Sequence, residues 1–280
     1  MNKRALIIGI NNYQTISRLR GCVNDTTDLR LALKERAGFD GDQIRLLVDA
    51  RATKAAIEER LRWLVKDAQP GDLLVLHFSG HGSQIRDRGE QDELSDRLDE
   101  ILCPWDMDWD GRFIDDDYLR DALQVPDGVV LEAILDCCNS GDGQNQVDLP
   151  PALPEADADS ERVPRFAQPP VDIVSRHAGL SLPQQRLLQH QQRSRLALWS
   201  ACADSQTAAD ARIDGVVHGA FTYYFCKHLR EAQGALTRAA LLEQVKSSLR
   251  QAGFTQVPEL AAPPEFLTAP PFRAPNEVVA

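Results

Sequence analysis

The apolar positions of the chain fall into short runs that predict buried strands separated by amphipathic helices. Each run ends abruptly at glycine or polar residues, as strands buried on both faces often do. The predicted strands lie at 5–10, 43–48, 73–78, 129–135 and 196–201. Apolar residues at helical spacing predict helices at 24–37, 53–68, 117–123, 219–231 and 237–252. This order predicts an α/β fold whose mostly parallel sheet carries helices on both faces.

Two of these strands end in residues that can perform chemistry. The run at 73–78 is followed by the sequence SGHG, and the run at 129–135 by DCCNSG. If the two strands are neighbours in a parallel sheet, His81 and Cys138 lie side by side at its carboxyl edge, where ligands bind in such sheets. A thiol beside an imidazole can ionise and attack a carbonyl carbon.

The sequences FSGHG at 78–82 and DCCNSG at 136–141 resemble the catalytic segments of metacaspases, which are caspase-like cysteine peptidases. The resemblance implies a caspase-like fold with about six strands in the central sheet. It also implies that Cys138 is the nucleophile, that His81 is its acid–base partner, and that the backbone N–H groups of Gly82 and Cys138 form the oxyanion hole. Asn139 stands where the family usually has histidine, and we expect this difference to tune the site.

The segment GCVND at 21–25 adds a second feature of the same family. By position alone, Asp25 would cap the helix that starts there, and Asp136 would bond the N–H groups of its loop. The resemblance instead implies that Asp25, Ser79 and Asp136 line the pocket for the substrate residue before the cut (P1). Two carboxylates in that pocket predict protein or peptide substrates with Arg or Lys at P1.

The region 83–117 is strongly acidic, and three interpretations of it remain open. A charge run of this kind is usually a solvated loop. The spacing of Asp106, Asp108 and Asp110 resembles the start of an EF-hand loop, but position twelve is Asp117 where the motif has glutamate.

The resemblance to metacaspases implies a calcium site in the same region. The positions that correspond to the family's ligands are Asp99, Asp115 and Asp116. A further ligand is expected near Asn145, where Asp142 or Asp148 could substitute. Oxygen ligands clustered in this way suit calcium, and no organic cofactor is expected.

The composition divides the chain into four parts. Residues 1–141 form a catalytic half that resembles the large subunit of the family, and 194–252 resemble its small subunit, with SACADSQTA at 200–208 as the matching segment. The intervening 142–193 are rich in Pro and Gln and predict a flexible linker. The Pro-rich tail 253–280 is expected to be irregular. The linker arginines are candidate sites of self-cleavage: Arg162, Arg165, Arg176, Arg186 and Arg193.

Charge and cysteine content narrow the function classes. The 280 residues carry a net charge of −11, with 42 acidic and 31 basic side chains. This balance disfavours nucleic acids and anionic membranes and suits cationic substrates. No apolar run is long enough to cross a bilayer. The six cysteines form no C-x-x-C pair, and we expect a reducing, cytoplasmic location and a monomer.

The sequence therefore favours a cysteine endopeptidase that cleaves after Arg or Lys, is stimulated by calcium and processes its own linker. One alternative is a catalytically silent caspase-like binding module. The other is a metal-dependent hydrolase that uses the acidic run, whose activity would survive replacement of Cys138.

Overall fold

The computed structural model describes residues 1–86, 98–138, 162–170, 195–203, 206–232 and 236–275. The strands are β1 Lys3–Gly9, β2 Ile44–Val48, β3 Leu73–Ser79, β4 Gly82–Arg86, β5 Leu98–Leu102, β6 Ile114–Asp115, β7 Val130–Asp136, β8 Arg162–Pro164, β9 Arg195–Ser200, β10 Ala209–Ile213, β11 Val216–Gly219 and β12 Glu259–Ala261. The α-helices are α1 Cys22–Ala37, α2 Lys54–Val65, α3 Asp116–Ala122, α4 Ala220–Glu231, α5 Arg238–Gln251 and α6 Pro264–Leu267. All five strands and all five helices expected from the apolar pattern are present, with ends that shift by a few residues.

Six strands form the central sheet in the order β12-β9-β7-β3-β1-β2. All neighbouring pairs are parallel except β12 with β9, which is antiparallel. The β-α-β order requires this arrangement, because each crossover helix returns the chain to the same end of the sheet. The predicted α/β fold with about six mostly parallel strands is therefore confirmed.

Two apolar clusters cover the two faces of the sheet. On one face, Leu6 and Ile8 of β1 belong to the cluster that contains Leu61 of α2 and Leu119 of α3. On the other face, Ile7 shares a cluster with residues of α1, α4 and α5, among them Leu29, Phe225 and Val245. Neighbouring residues of β1 point to opposite faces because side chains alternate along a strand. Both faces are buried, which explains the unbroken apolar runs in the sequence.

Two three-stranded sheets lie outside the central one and were not predicted. One has the order β4-β5-β6 and begins directly after the His81 segment. The other has the order β11-β10-β8. Its strand β8 belongs to 162–170, inside the segment interpreted as a flexible linker, so this part of the linker is ordered by pairing with β10. The rest of 142–193 lies outside the described residues.

The expectation of an irregular C-terminal tail was wrong for 259–275. Strand β12 adds an edge to the central sheet, and Phe266 and Phe272 are buried. A buried ion pair anchors this part, because the Arg238 guanidinium contacts the Glu132 carboxylate and also donates to the Phe266 carbonyl. The Phe272 N–H donates to the same carboxylate at 3.0 Å.

None of the helices in the described ranges combines the length and hydropathy needed to span a membrane.

Candidate active site

The two candidate catalytic residues follow the ends of adjacent parallel strands. Ser79 at the end of β3 is in register with Asp136 at the end of β7. His81 and Cys138 each lie two residues further along, and both side chains are fully buried. Parallel pairing therefore brings the two segments to one edge of the sheet.

The centre of the site is a side chain from the linker, Arg165, which is completely buried. One guanidinium nitrogen, Nη2, donates to Asp25 Oδ2 at 2.7 Å and to Asp210 Oδ1 at 2.8 Å. The other, Nη1, donates to Ser79 Oγ at 2.9 Å and lies 3.1 Å from Asp136 Oδ1. The three residues predicted to line the P1 pocket thus surround one arginine of the same chain.

The backbone of Arg165 is held next to this pocket. Its carbonyl oxygen accepts hydrogen bonds from Gly82 N at 3.0 Å and from Cys138 N at 3.2 Å. These are the two N–H groups predicted to form the oxyanion hole. Its own N–H donates to the Ala208 carbonyl at 3.0 Å. An arginine thus has its side chain among carboxylates and its carbonyl between two converging donors, which is the geometry required of a P1 residue.

The chain on either side of Arg165 continues this contact. Strand β8 pairs antiparallel with β10, with Val163 opposite Asp210. On the other side, Ala167 N donates to the Gly82 carbonyl at 2.9 Å, and Ser83 Oγ donates to the Ala167 carbonyl at 2.7 Å. The segment 162–167 therefore lies across the site as an added strand, a common mode of peptide recognition.

The orientation of His81 identifies the nitrogen that can exchange a proton. Its Nε2 lies 3.0 Å from the Ser17 carbonyl oxygen, which can only accept a hydrogen bond, so Nε2 carries the proton in the neutral ring. Nδ1 is buried and has no hydrogen-bond partner among the described residues. Burial lowers the pKa of His81 to about 4, and the Arg165 charge acts in the same direction. The imidazole is therefore neutral at neutral pH and can act as a base through Nδ1.

The Cys138 thiol hydrogen-bonds to Ala208 in this arrangement and not to His81. Its Sγ accepts from Ala208 N at 2.7 Å and lies 3.4 Å from the Ala208 carbonyl oxygen. The neighbouring Cys137 belongs to the cluster on the other face of the sheet, and burial raises its pKa well above the usual range for a thiol. Alternation along the chain thus places the two thiols in clusters on opposite faces of the sheet.

Several residues of the pocket come from the C-terminal half and were missed. Asp210 is buried and accepts from the N–H groups of Arg20 and Gly21 in addition to Arg165. Thr222 donates to Asp136 Oδ2 from both its N–H and its hydroxyl. Gly219 has no room for a side chain, since a Cβ there would lie 2.5 Å from Arg165 Nη1.

The interpretation of Asp25 as a simple helix cap was wrong. Asp25 lies in the first turn of α1, but its carboxylate accepts from Ser79 Oγ at 2.7 Å and from Gly219 N at 2.9 Å. Burial raises the pKa of Asp25 to about 6, the Arg165 charge lowers it, and the Asp136 charge raises it. The pocket thus holds more negative charge than a single arginine neutralises.

The residues implied as calcium ligands are only partly described. The side chain of Asp99 lies outside the described residues, as do 139–150, which include Asn139, Asn145, Asp142 and Asp148. Asp115 caps α3 by accepting from Tyr118 N at 2.7 Å. Among the side chains that the structure describes, no group of three or more His, Cys, Asp or Glu is arranged to hold a metal ion.

Asp116 fits a hard cation in one respect. Its Oδ1 is buried and has no hydrogen-bond partner within the described ranges. Burial raises the pKa of Asp116 to about 6, with the charges of Asp117 and Asp115 adding to the effect. In the EF-hand-like stretch, by contrast, the carboxylates already have partners: Asp106 accepts from Lys54 N and Asp108 from Arg112 N.

Comparison with known proteins gives matches that cover most of the chain. Residues 3–150 match the family model for the metacaspase, peptidase C14 domain. Metacaspase-1A of Aspergillus clavatus is 32% identical over 288 residues, covering 92% of this chain and 66% of that protein. Metacaspase-2 of Trypanosoma brucei brucei is 32% identical over 276 residues, covering 92% of this chain and 72% of that protein. The chain thus spans about two thirds of the length of these relatives.

A solved structure supports the fold alone. A crystal structure of a Geobacter sulfurreducens protein superposes with a TM-score of 0.63 over 97% of this chain and 98% of that one. The sequence identity is 21%, so the match carries no statement about activity.

The raised pKa of Asp25 predicts that stability depends on pH. Between about pH 4 and pH 6 the folded chain keeps a proton on Asp25 that the unfolded chain has lost, so the free energy of unfolding falls as pH rises through this range. On a Cys138→Ala background, we expect Asp25→Asn to reduce this fall by about 1–3 kcal/mol. Denaturant titration between pH 4.5 and 7 measures the free energy of unfolding at each pH. The exposed Asp42→Asn serves as the control, and equal slopes in both variants would contradict the prediction.

Proposed function

Because the chain belongs to the metacaspase family of C14 cysteine peptidases, we propose that it is a cysteine endopeptidase that cleaves peptide bonds after arginine, and more slowly after lysine. The observation that carries the proposal is the position of Arg165. Its guanidinium lies among Asp25, Asp136 and Asp210, while its carbonyl accepts from two backbone N–H groups at the candidate nucleophile. Arginine matches such a pocket better than lysine because its planar guanidinium contacts several carboxylates at once.

In the proposed reaction, Cys138 acts as the nucleophile and His81 as its acid–base partner. The Cys138 thiol transfers its proton to His81 Nδ1, and Sγ forms a bond to the carbonyl carbon of the P1 residue. The negative charge that develops on the carbonyl oxygen is stabilised by the N–H groups of Gly82 and Cys138. The C–N bond then breaks, and His81 gives its proton to the leaving amine. Water attacks the thioester carbonyl carbon while His81 takes up a proton from it. The C–S bond then breaks, and His81 returns the proton to Sγ, which releases the new carboxyl group and restores the thiol. The Ser17 carbonyl holds the proton of the neutral ring on Nε2, so Nδ1 is the nitrogen that exchanges protons.

We expect the full chain to cut fluorogenic peptides in the order Arg, then Lys, with negligible cleavage after Asp. Citrulline is the neutral analogue of arginine and should lower kcat/KM at least about 30-fold, because it leaves buried carboxylates without a counter-charge. Asp136→Ala should be nearly inactive on Arg peptides for the same reason.

Paired thiol variants provide the control for the nucleophile. Cys138→Ala should abolish cleavage, whereas Cys137→Ala should keep most of it, since Cys137 lies on the other face of the sheet. Cleavage that survives Cys138→Ala would favour a metal-dependent hydrolase. A wild type that cuts none of these peptides would favour a silent binding module.

We further propose that the chain cleaves itself between Arg165 and Phe166. Five bonds follow the linker arginines, and we choose this one because the segment 162–167 lies across the site. Arg176, Arg186 and Arg193 lie outside the described residues. The fragments 1–165 and 166–280 should remain associated, because β7 and β9 pair in the central sheet.

Intact-mass analysis after incubation with calcium tests the self-cleavage. Wild type should give the two fragments at a rate independent of protein concentration, as expected for a segment already in the site. Arg165→Gln should not give them, whereas Arg162→Gln should. Near-ultraviolet circular dichroism verifies that each variant is folded. Fragments from Cys138→Ala would indicate another protease, and cleavage of Arg165→Gln at other arginines would contradict the choice of bond.

We also propose that calcium stimulates the activity through Asp99, Asp115 and Asp116. Support comes from Asp116, whose buried Oδ1 has no hydrogen-bond partner in the described part of the chain and lies near the charges of Asp117 and Asp115. Bound calcium would neutralise these carboxylates and order the neighbouring acidic loop.

A pair of double variants tests the calcium response. Asp115→Asn with Asp116→Asn should remove the stimulation, and asparagine at 115 still supplies a cap for α3. Asp106→Asn with Asp108→Asn is the matched control and should keep the response. Peptide cleavage is measured in calcium and in chelator. An unchanged rate in chelator would mean that the acidic run is only a solvated surface, and loss in the control pair alone would favour the EF-hand-like interpretation.

A further inference from the structure

The side chain of Arg162, three residues before Arg165, occupies a site of its own. Its Nη1 donates to the Gly253 carbonyl at 2.7 Å and its Nη2 to the Ala252 carbonyl at 3.0 Å. The same guanidinium lies over the Phe254 ring, 4.3 Å from the ring centroid. The two carbonyls and the ring all lie at the C-terminal end of α5.

The end of α5 is built in a way that exposes these carbonyls. Gly253 has a φ of +74°, the left-handed conformation that commonly ends a helix. The Phe254 N–H returns to the Leu249 carbonyl at 2.9 Å, which turns the chain sharply. The carbonyls of Ala252 and Gly253 are left to accept from outside the helix. The negative end of the helix dipole lies there as well and favours a cation.

The position of this site relative to the pocket is fixed by strand pairing. Along β8 the side chains alternate, so Val163 and Arg165 are buried while Arg162 and Pro164 are exposed. The pairing of β8 with β10 sets Arg162 opposite Ala211. Any peptide that binds in the register of this segment presents its fourth residue before the cut (P4) to the end of α5.

We propose that Ala252, Gly253 and Phe254 form a subsite that selects arginine at P4 of the substrate. This proposal rests on the proposed function, because it takes 162–167 as a guide to how a substrate binds. Two carbonyls accept from the two nitrogens of one guanidinium, and the ring adds a cation–π contact. Lysine offers a single nitrogen, so it satisfies the subsite less well. The preferred substrates would therefore carry two arginines, three residues apart.

A series of quenched fluorescent peptides tests the subsite. The peptides share Val-Pro-Arg-Phe-Ala and differ only at P4, with Arg, Lys, citrulline or Glu. With the full chain in calcium, kcat/KM should be about 5- to 10-fold higher for Arg than for citrulline at P4, with Lys between them and Glu lowest. Equal values for Arg and citrulline at P4 would overturn the subsite, while continued dependence on Arg at P1 would leave the proposed function intact.

Variants of the enzyme test whether the Phe254 ring is responsible for the preference for arginine at P4. Phe254→Leu keeps an apolar side chain but removes the ring, and it should lower the ratio of the Arg to the citrulline peptide. Trp63→Leu is the matched control, because it also removes a ring that has a cation–π contact, on another part of the surface. The Arg45 guanidinium lies 5.3 Å from the centroid of that ring. The ratio for Trp63→Leu should equal that of the wild type. An unchanged ratio in Phe254→Leu, or an equal loss in Trp63→Leu, would contradict the assignment.

A binding measurement separates this proposal from catalysis. The triple variant Cys138→Ala/Arg162→Ala/Arg165→Ala cannot cleave and places no arginine of this segment in the P1 pocket or at the end of α5. Fluorescence anisotropy should show labelled Arg-Val-Pro-Arg binding several-fold more tightly than the peptide with citrulline at P4. Equal affinities would overturn the subsite even if no peptide is ever cleaved, whereas absence of cleavage with unequal affinities would refute only the proposed function.

Discussion

The buried contact between Arg165 and its three carboxylate neighbours is the interaction on which the site depends. Asp25 comes from α1, Asp136 from the end of β7 and Asp210 from β10, so the ion pairs join the N-terminal half, the C-terminal half and the segment between them. Removing one partner of a buried charge pair typically costs about 3–5 kcal/mol. Without a cation, the three carboxylates would have to take up protons or water. The pocket is thus stable only when a positive side chain fills it or when solvent reaches it.

The central sheet could be predicted because its strands are buried on both faces and read as unbroken apolar runs. The edge strand β12 and the two smaller sheets could not be predicted in this way. Strand β12 is three residues long among prolines, and its position depends on pairing with the distant strand β9. Strand β8 depends on pairing with β10, which the local sequence does not indicate. Long-range pairing of short strands leaves almost no signal in the sequence.

The candidate site, like the fold, could be predicted only in part from the sequence. His81 and Cys138 stand at strand ends, where the topology alone predicts a site. Asp25 and Ser79 were identified only through resemblance, since each also fits an ordinary local role. Asp210 was missed because an acid in a polar segment has no distinguishing pattern. The nearest available signal was Arg165 itself, an arginine after proline in an extended stretch of a chain with surplus negative charge.

The hydrogen bonds from Gly82 N and Cys138 N to the Arg165 carbonyl have a consequence for a chain that is cut after Arg165. Hydrolysis after Arg165 would make this residue the carboxyl terminus of the N-terminal fragment, still joined to β8 and still paired with β10. The product would remain tethered beside the pocket at a high effective concentration. Every incoming peptide would then compete with a ligand that dilution does not remove, so inhibition of the cut chain would not depend on protein concentration. Scission and activation would be separate events, the second being displacement of the cut end.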